Sequence, residues 1–271
     1  MNIPEWNKKI KELADTVRGR PIIRGSQTNR VAVIVEPRNH EVLYDLLTWT
    51  FYLLAPEGWK FIVYSGNLNW QSVNEFVARS GVQDIVEVRT LGKDNLAISE
   101  YSKMFTSTAF WQSIPYENIL IFQTDSVLLD GKLDEFLHYD YVGSPWNERI
   151  MAMIGLTHSI GNGGLSLRRR SAMIRAITNY HKPGYPDLRK RGLNQEEDFF
   201  FCYHCKKSLN FPSKEVGMKF GSESIFSLSS KGFHKPWLYL PDQMEQIYEH
   251  IDRKRDSLLP LVEKPTVSKT N

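Results

Sequence analysis

Short apolar runs alternate with helix-like segments through the first half of this 271-residue chain. The first run, VAVIV at 31–35, consists of small or β-branched apolar residues, which is typical of a strand that is buried on both faces. Such a strand needs helices packed on both sides of its sheet. The alternation therefore predicts a doubly wound α/β layer with a mostly parallel central sheet.

Apolar spacing sets approximate bounds for these elements. Strands are predicted at 31–37, 59–64, 84–88, 119–122 and 139–143. Helices are predicted at 4–18, 41–54, 71–80, 98–111, 171–181 and 195–206, and residues 232–237 are predicted to form a loop. In open α/β sheets, ligands bind outside the carboxyl ends of the strands. We therefore expect a site where the fourth strand ends.

Composition excludes some classes of protein. The formal net charge is only +3, so neither nucleic acid nor an anionic membrane is indicated as a partner. The sequence contains no apolar run of about 18 residues and no apolar stretch near its start, which predicts a cytoplasmic protein without a transmembrane segment. Cys202 and Cys205 are interpreted as reduced structural thiols; a redox motif or a zinc site that includes His204 is less favoured.

Polar residues interrupt the apolar run ILIFQTDSVLL at 119–129. Asp125 follows the predicted strand and has no cationic residue within four positions. A turn or a helix cap is one interpretation. The other is a divalent-cation site, because Mg²⁺ and Mn²⁺ prefer oxygen ligands.

Two later stretches also combine residue types that suit a site. GNGGLSLRR at 161–169 allows a close approach of substrate to backbone, or it forms a tight bend. NQEEDFFF at 194–201 begins with Asn194, a candidate helix cap, and places acids beside aromatic residues. Desolvation there raises the pKa of a carboxyl group and makes it a better general base.

Basic residues occur in two further places. In GFHKPW at 232–237, His234 suits a metal or a phosphate and Lys235 suits a leaving anion, whereas a surface loop is the alternative. The run Arg168–Arg170 is expected to be a solvated face, with phosphate contact by one member as the less favoured interpretation.

The order of these motifs resembles that of GT-A fold nucleotide-sugar glycosyltransferases. FQTDS, YVGSPW, GNGGLSLR, EEDFFF and HKPW are most similar to a poorly characterised GT-A-like group found in fungi, bacteria and large DNA viruses. The resemblance covers roughly residues 31–240. It implies a Rossmann-like three-layer sandwich over 30–245, after an N-terminal helix and linker at 1–29 and before a C-terminal helix and flexible tail at 246–271.

The resemblance also implies roles for single residues. Asp125 and His234 would bind Mn²⁺ or Mg²⁺, and Asp198, or else Glu197, would be the catalytic base. The residues that would contact the donor are Val35, Glu36, Pro37, Arg38, Ser65, Tyr101, Lys103, Gln123, Thr124, Gly163, Gly164 and Lys235. Gln123 stands where the family has the first aspartate of D-x-D.

The implied activity is transfer of a sugar from a nucleotide-diphosphate sugar, with UDP favoured, to a hydroxyl of a glycan or other acceptor with inversion. Trp146, Phe199 and Trp237 suit stacking on a sugar, although core packing is favoured for Phe199.

A catalytically inactive binder of nucleotide sugar or glycan is the alternative function, and Gln123 favours it. Nucleic-acid binding through residues 168–170 and 189–191 is disfavoured by the charge balance. The sequence leaves open whether the chain forms a homo-oligomer. If the protein is viral, we expect it to act in the cytoplasm of the host cell.

Overall fold

The computed structural model describes residues 3–156, 158–180 and 196–258 of the chain. The strands are β1 (Arg30–Val35), β2 (Lys60–Ser65), β3 (Val86–Thr90), β4 (Asn118–Phe122), β5 (Ser126–Leu128), β6 (Tyr141–Gly143), β7 (Leu165–Arg169) and β8 (Gly232–His234). The helices are α1 (Ile3–Val17), α2 (Val42–Leu54), α3 (Trp70–Arg79), α4 (Ile98–Phe105), α5 (Thr108–Gln112), α6 (Glu148–Ile154), α7 (Arg170–Tyr180), α8 (Glu197–Phe199), α9 (Lys214–Phe220), α10 (Pro236–Tyr239) and α11 (Met244–Leu258).

Six of the strands in the described residues form one sheet, in the order β3-β2-β1-β4-β7-β6. The first four are parallel neighbours, whereas β7 runs antiparallel to both β4 and β6. The mixed α/β fold with a mostly parallel central sheet is therefore confirmed. The predicted strands of this sheet are present with shifts of one or two residues.

Both faces of the sheet are buried, which explains the continuous apolar runs. Along β1, Ala32 and Ile34 join a core that includes residues of α1, α2, α3 and α11. Val31 and Val33 join a second core, with residues of α4, α5 and α7. Because side chains alternate along a strand, one sequence supplies both cores and the result is a three-layer sandwich.

The strand register brings the predicted motifs to one edge of the sheet. Val33 pairs with Ile121, so the residues after β1 lie beside the QTDS segment after β4. Phe122 pairs antiparallel with Leu165, so the glycine loop that precedes β7 reaches the same edge. This edge is the carboxyl end of the parallel strands, where the sequence predicts a site.

The predicted loop at 232–237 is wrong. Gly232–His234 forms β8, which pairs with β5 in a small antiparallel sheet, and Pro236–Tyr239 forms α10. Ser126 pairs with His234 in this ladder. The sequence gives little sign of it, because three-residue strands have no measurable period and their pairing depends on tertiary contacts.

Two other predictions need correction. The helix predicted at 98–111 is divided into α4 and α5, because the Ser107 side chain accepts a hydrogen bond from the amide of Ala109 and caps a new helix. The predicted helix at 195–206 begins at Glu197 and becomes a π-helix over Phe200–His204. Its predicted first residue and Asn194 lie outside the described residues, as do residues 189–191.

Helices near the two ends of the chain pack against the body of the fold. The Trp6 ring of α1 contacts that of Trp237 with 5.3 Å between centroids, and Lys9 forms an ion pair with Asp252 of α11.

The division of the chain into an N-terminal helix and linker, a central domain and a C-terminal segment, with boundaries at residues 29 and 245, stays a prediction. No helix among the described residues has the length and apolar character needed to cross a membrane.

We expect Trp6→Ala to lower the free energy of unfolding by about 3–5 kcal/mol, because Trp6 is only 1% exposed and its removal leaves a cavity. Trp70→Ala is the control, since Trp70 is 39% exposed and should cost less than about 1 kcal/mol. Urea unfolding measures both. Equal losses in the two variants would contradict the packing described for α1.

Candidate functional site

An open cavity of about 440 Å³ lies at the carboxyl edge of the sheet. This volume is within the range of small-molecule sites. Its lining residues are Val35, Glu36, Pro37, Arg38, Asn95, Leu96, Ile98, Tyr101, Ser102, Gln123, Thr124, Asp125, Gly163, Gly164, Glu196, Glu197, Asp198, His234, Lys235, Leu238 and Tyr239. The structure thus brings together every residue predicted for the site except Ser65 and Lys103.

Ser65 and Lys103 lie outside this lining. Ser65 is buried at the end of β2, and its hydroxyl donates to the carbonyl of Arg89 at 3.3 Å. Lys103 belongs to α4, whose residues Tyr101 and Ser102 do line the cavity. A direct contact of either residue with a ligand in this cavity is therefore not supported.

Asp125 lies beside two basic side chains, one from the last residue of β8 and one from the residue that follows it. His234 Nε2 is 3.3 Å from Asp125 Oδ1, and Lys235 Nζ is 3.3 Å from Oδ2. The Lys235 amide also donates to the Asp125 carbonyl, and Lys235 holds a left-handed backbone with φ of 45°. Burial opposes ionisation of Asp125, but His234 and Lys235 outweigh it and lower its pKa.

Glu223 contacts the other side of His234. Its Oε1 is 2.8 Å from His234 Nδ1, and its Oε2 accepts a hydrogen bond from Trp146 Nε1 at 3.2 Å. Burial lowers the pKa of His234, but Asp125 and Glu223 outweigh it and raise the pKa to about 9. Sequence reasoning missed Glu223, because GSESIF shows no local pattern and the contact spans eleven positions.

Asp125 and His234 fit a divalent cation in two respects. Asp125 Oδ1 and His234 Nε2 are buried and have no aligned hydrogen-bond partner in the described part of the chain. Their separation of 3.3 Å is close to the ~3 Å between adjacent ligands in an octahedral site with bonds near 2.1 Å. No group of three or more His, Cys, Asp or Glu within the described ranges is arranged to hold a metal. Asp125 and His234 could therefore supply two ligands, and phosphate oxygens or water would supply the rest.

A buried carboxylate organises the residues after β1. Glu36 is 3% exposed and binds the Arg38 guanidinium through Nε at 2.8 Å and Nη2 at 2.7 Å. The Thr124 hydroxyl donates to the same carboxylate at 3.3 Å, which joins this turn to the QTDS segment. Asn69, which sequence reasoning missed, donates to the Glu36 and Arg38 carbonyls at 2.8 Å each. The turn is thereby held in one conformation.

The glycine loop passes so close to its neighbours that a side chain has no room. A Cβ at Gly163 would lie 2.0 Å from Glu197 Oε1, and one at Gly164 would lie 2.1 Å from His234 Nε2. Contacts this short require the neighbouring group to move. The two glycines therefore let the backbone pass between the acidic helix start and His234, whereas the predicted close approach of a substrate stays a prediction.

Arg168 and Glu197 form a fully enclosed ion pair. The Arg168 Nη1 atom lies 2.5 Å from Glu197 Oε2, and Nη2 lies 3.0 Å from Oε1. Four aromatic rings surround the guanidinium, with centroids 4.7–5.9 Å from its carbon: Phe105, Trp111, Tyr141 and Phe201. The solvated face expected for Arg168 is wrong, because its side chain is 0% exposed.

Asp198 lies next to this ion pair and lines the cavity. Its Oδ2 accepts from the amide of Gly163 at 3.1 Å, and its Oδ1 accepts from the amide of Phe199 at 2.7 Å. Burial and the charges of Glu197, Glu196 and Glu223 raise the pKa of Asp198 to about 7. A raised pKa is what the acidic and aromatic sequence predicts for one carboxyl group here.

Several residues near the cavity differ from expectation. Leu96, Ile98, Leu238 and Tyr239 form an apolar part of the lining that sequence reasoning missed. The sequence gives little sign of them, because Leu96 lies in the loop before α4, Ile98 is the first residue of α4, and Leu238 and Tyr239 belong to the four-residue α10. Trp146, Phe199 and Trp237 do not line the cavity. Trp146 instead binds Glu223, Phe199 is buried, and Trp237 packs on Trp6.

Cys202 and Cys205 are free and buried. Burial raises the pKa of the Cys205 thiol to about 12 and raises that of Cys202 strongly. Such thiols are poor nucleophiles and poor metal ligands at neutral pH. The structural role predicted for the pair agrees with these properties.

Residues 85–237, more than half of the chain, match the family described as "Protein of unknown function (DUF5672)". A search of curated proteins found no match. Among solved structures, the WbbM bifunctional glycosyltransferase has a TM-score of 0.50 at 9% identity, with 87% of this chain and 50% of that chain covered. This likeness supports the GT-A fold.

Two further solved structures have lower TM-scores. A mannosyltransferase, PcManGT from Pyrobaculum calidifontis in complex with GDP-Man and Mn²⁺, has a TM-score of 0.45 at 12% identity, with 77% of this chain and 62% of that chain covered. GalNAc-T7 with UDP, GalNAc and Mn²⁺ has a TM-score of 0.45 at 10% identity, with 76% and 42% covered. The chain spans less than two thirds of the length of each of the three structures.

We expect Arg168→Met to lower the free energy of unfolding by about 3–5 kcal/mol, because it leaves the Glu197 charge buried without a partner. Adding Glu197→Gln should recover part of that loss, since both charges are then absent. Chemical denaturation of the two single variants and the double variant gives the coupling. If the two losses simply add, the buried ion pair is not the source of the effect.

Proposed function

The chain belongs to the DUF5672 family, and we propose that it is a glycosyltransferase that moves a sugar from a nucleotide-diphosphate sugar to an acceptor hydroxyl. The observation that carries the proposal is the convergence of Asp125, His234 and Lys235 in one cavity with Asp198. A cation-binding pair, a positively charged ammonium group and a carboxyl group with a raised pKa are the parts that such a transfer needs.

The donor is proposed to occupy the cavity with its nucleoside near the turn after β1. Val35, Glu36, Pro37 and Arg38 line this part of the cavity, and Tyr101 lines it from α4. Its diphosphate would lie beside Lys235, where positive charge offsets phosphate charge. The sugar would lie at the glycine loop, because Gly163 and Gly164 line the cavity and have no side chain that would keep a sugar away from the backbone. UDP is favoured as the nucleotide.

Asp125 and His234 are the residues that would hold Mn²⁺ or Mg²⁺. When bound, such an ion offsets the charge that develops on a leaving diphosphate. Lys235 assists by its own charge and stays close to Asp125 through the ion pair and the backbone hydrogen bond. Gln123 lines the same cavity in the position of the first aspartate of D-x-D, and it leaves the site one carboxylate fewer.

Asp198 is proposed as the general base. It takes the proton of the acceptor hydroxyl as that oxygen bonds to the anomeric carbon, while the bond from this carbon to the diphosphate breaks and the diphosphate keeps the electron pair. One base on the side opposite the leaving group accounts for inversion. Glu197 is less suited to the role, because Arg168 binds both of its oxygens.

A catalytically inactive binder of nucleotide sugar or glycan is the second candidate. Gln123 favours it, and so does the finding that no group of three or more His, Cys, Asp or Glu in the described part of the chain is arranged to hold a metal. Both candidates place the same ligand in the same cavity, so binding alone does not distinguish them. Release of nucleoside diphosphate does.

We expect one series of nucleotide sugars to raise the Tm more in the presence of Mn²⁺ than in its absence, because a ligand that binds only the folded chain stabilises it. The panel should include UDP, GDP and ADP sugars. Release of nucleoside diphosphate from the stabilising sugar, with acceptor glycans present, then separates the enzyme from the binder. If no nucleotide sugar changes the Tm, both candidate functions are wrong.

The base is tested by the dependence of activity on pH. Because Asp198 must be deprotonated and its pKa of about 7 is that of the chain without substrate, kcat/KM should fall about tenfold per unit as the pH drops below about 7 and should level off above it. Asp198→Asn should lower kcat by about 10²–10⁴. Glu196→Gln removes a charge that raises the Asp198 pKa, so this variant should stay active with its acid limb moved to lower pH. Wild-type turnover in both Asp198→Asn and Glu197→Gln would rule out this base assignment.

A further inference from the structure

Glu223 is a buried carboxylate that neither lines the cavity nor takes part in the proposed chemistry. It is 5% exposed and lies between two ring nitrogens, His234 Nδ1 at 2.8 Å and Trp146 Nε1 at 3.2 Å. Each of its oxygens therefore lies within hydrogen-bond distance of a ring nitrogen. A buried charge held in this way is costly unless its hydrogen bonds form, so the arrangement fixes both rings.

The carboxylate determines which nitrogen carries the proton in the neutral His234 ring, the form that can bind a cation. Asn162 Nδ2 also lies 2.6 Å from Nδ1, and its Oδ1 accepts from the amide of Leu165. If Nδ1 lacked a proton, it would accept from Asn162 but would face Glu223 as one acceptor against another in a buried place. A proton on Nδ1 instead gives a charge-assisted hydrogen bond to Glu223, which is stronger than the neutral hydrogen bond from Asn162 that is lost. In the neutral imidazole, the lone pair is then on Nε2, which lies beside Asp125 Oδ1.

We propose that Glu223 is a positioning residue that holds His234 with the Nε2 lone pair directed to the place where Asp125 would share a divalent cation. The inference rests on the metal site of the proposed function. Carboxylates that bind the second nitrogen of a metal-ligating histidine fix its ring and tautomer, and their loss weakens metal binding roughly 10–100-fold. Glu223 has the contacts that this role requires, and Trp146 holds its second oxygen.

Glu223→Gln provides a sharp test, because an amide has one acceptor and one donor group. It cannot accept from both His234 and Trp146. If its oxygen stays with Trp146, its NH₂ group faces His234 Nδ1 and favours the tautomer that has the proton on Nε2, which cannot bind a cation. We expect the Kd for Mn²⁺, measured with UDP present by the electron paramagnetic resonance of free Mn²⁺, to rise roughly 10–100-fold.

Two further variants separate positioning from general damage. Adding Trp146→Phe to Glu223→Gln removes the competing donor, so the glutamine oxygen can turn to His234 and part of the Mn²⁺ affinity should return. Asp140→Asn is the matched control: Asp140 is 9% exposed, accepts from Arg175 and from the amide of Asn210, and lies outside the cavity lining. This control should bind Mn²⁺ as the wild type does.

The outcomes separate this inference from the proposed function. Wild-type Mn²⁺ affinity in Glu223→Gln would overturn the inference, as would equal losses in Glu223→Gln and Asp140→Asn. A wild-type protein that does not bind Mn²⁺ would overturn it too. Weakened Mn²⁺ binding in Glu223→Gln with recovery in the double variant would support it, even if no nucleotide sugar were turned over, in which case only the transfer reaction would be wrong.

Discussion

The ion pair between Arg168 and Glu197 constrains the whole site. It joins β7 to the start of α8, and Arg168 Nη2 also donates to the Gly163 carbonyl in the glycine loop. Arginine suits this place because its planar guanidinium can bind a carboxylate with two nitrogens while its faces contact aromatic rings. Because the pair fixes Glu197, the next residue, Asp198, is held at the glycine loop. The same buried ion pair therefore holds residues of the candidate site in place and packs among the aromatic rings of the core.

A second constraint is the pairing of β5 with β8, which carries His234 and Lys235 to Asp125 across more than a hundred positions of sequence. The six-stranded sheet alone brings together the turn after β1, the QTDS segment and the glycine loop. The small antiparallel ladder adds the basic side chains. Glu223 then joins the ladder to Trp146 after β6, so the proposed cation site depends on several elements at once.

The sequence predicts the central sheet well, because a strand buried on both faces has a composition that few other structures share. It also predicts which segments meet, since parallel strands end at one edge. It does not predict the β5–β8 pairing or the burial of Arg168, because three-residue strands lack a period and a charged run is usually solvated. Glu223 and Asn69 are found only from tertiary contacts, since neither has a local pattern.

The most direct test is a crystal structure with Mn²⁺ and UDP, with the metal located by its anomalous scattering. We predict a manganese peak bonded to Asp125 Oδ1 and His234 Nε2, with the diphosphate beside Lys235 and the glycine loop. A peak at this place would establish the cavity as a nucleotide and cation site. Manganese or diphosphate bound elsewhere, with Asp125 and His234 still in direct contact, would contradict the proposed site and the function built on it.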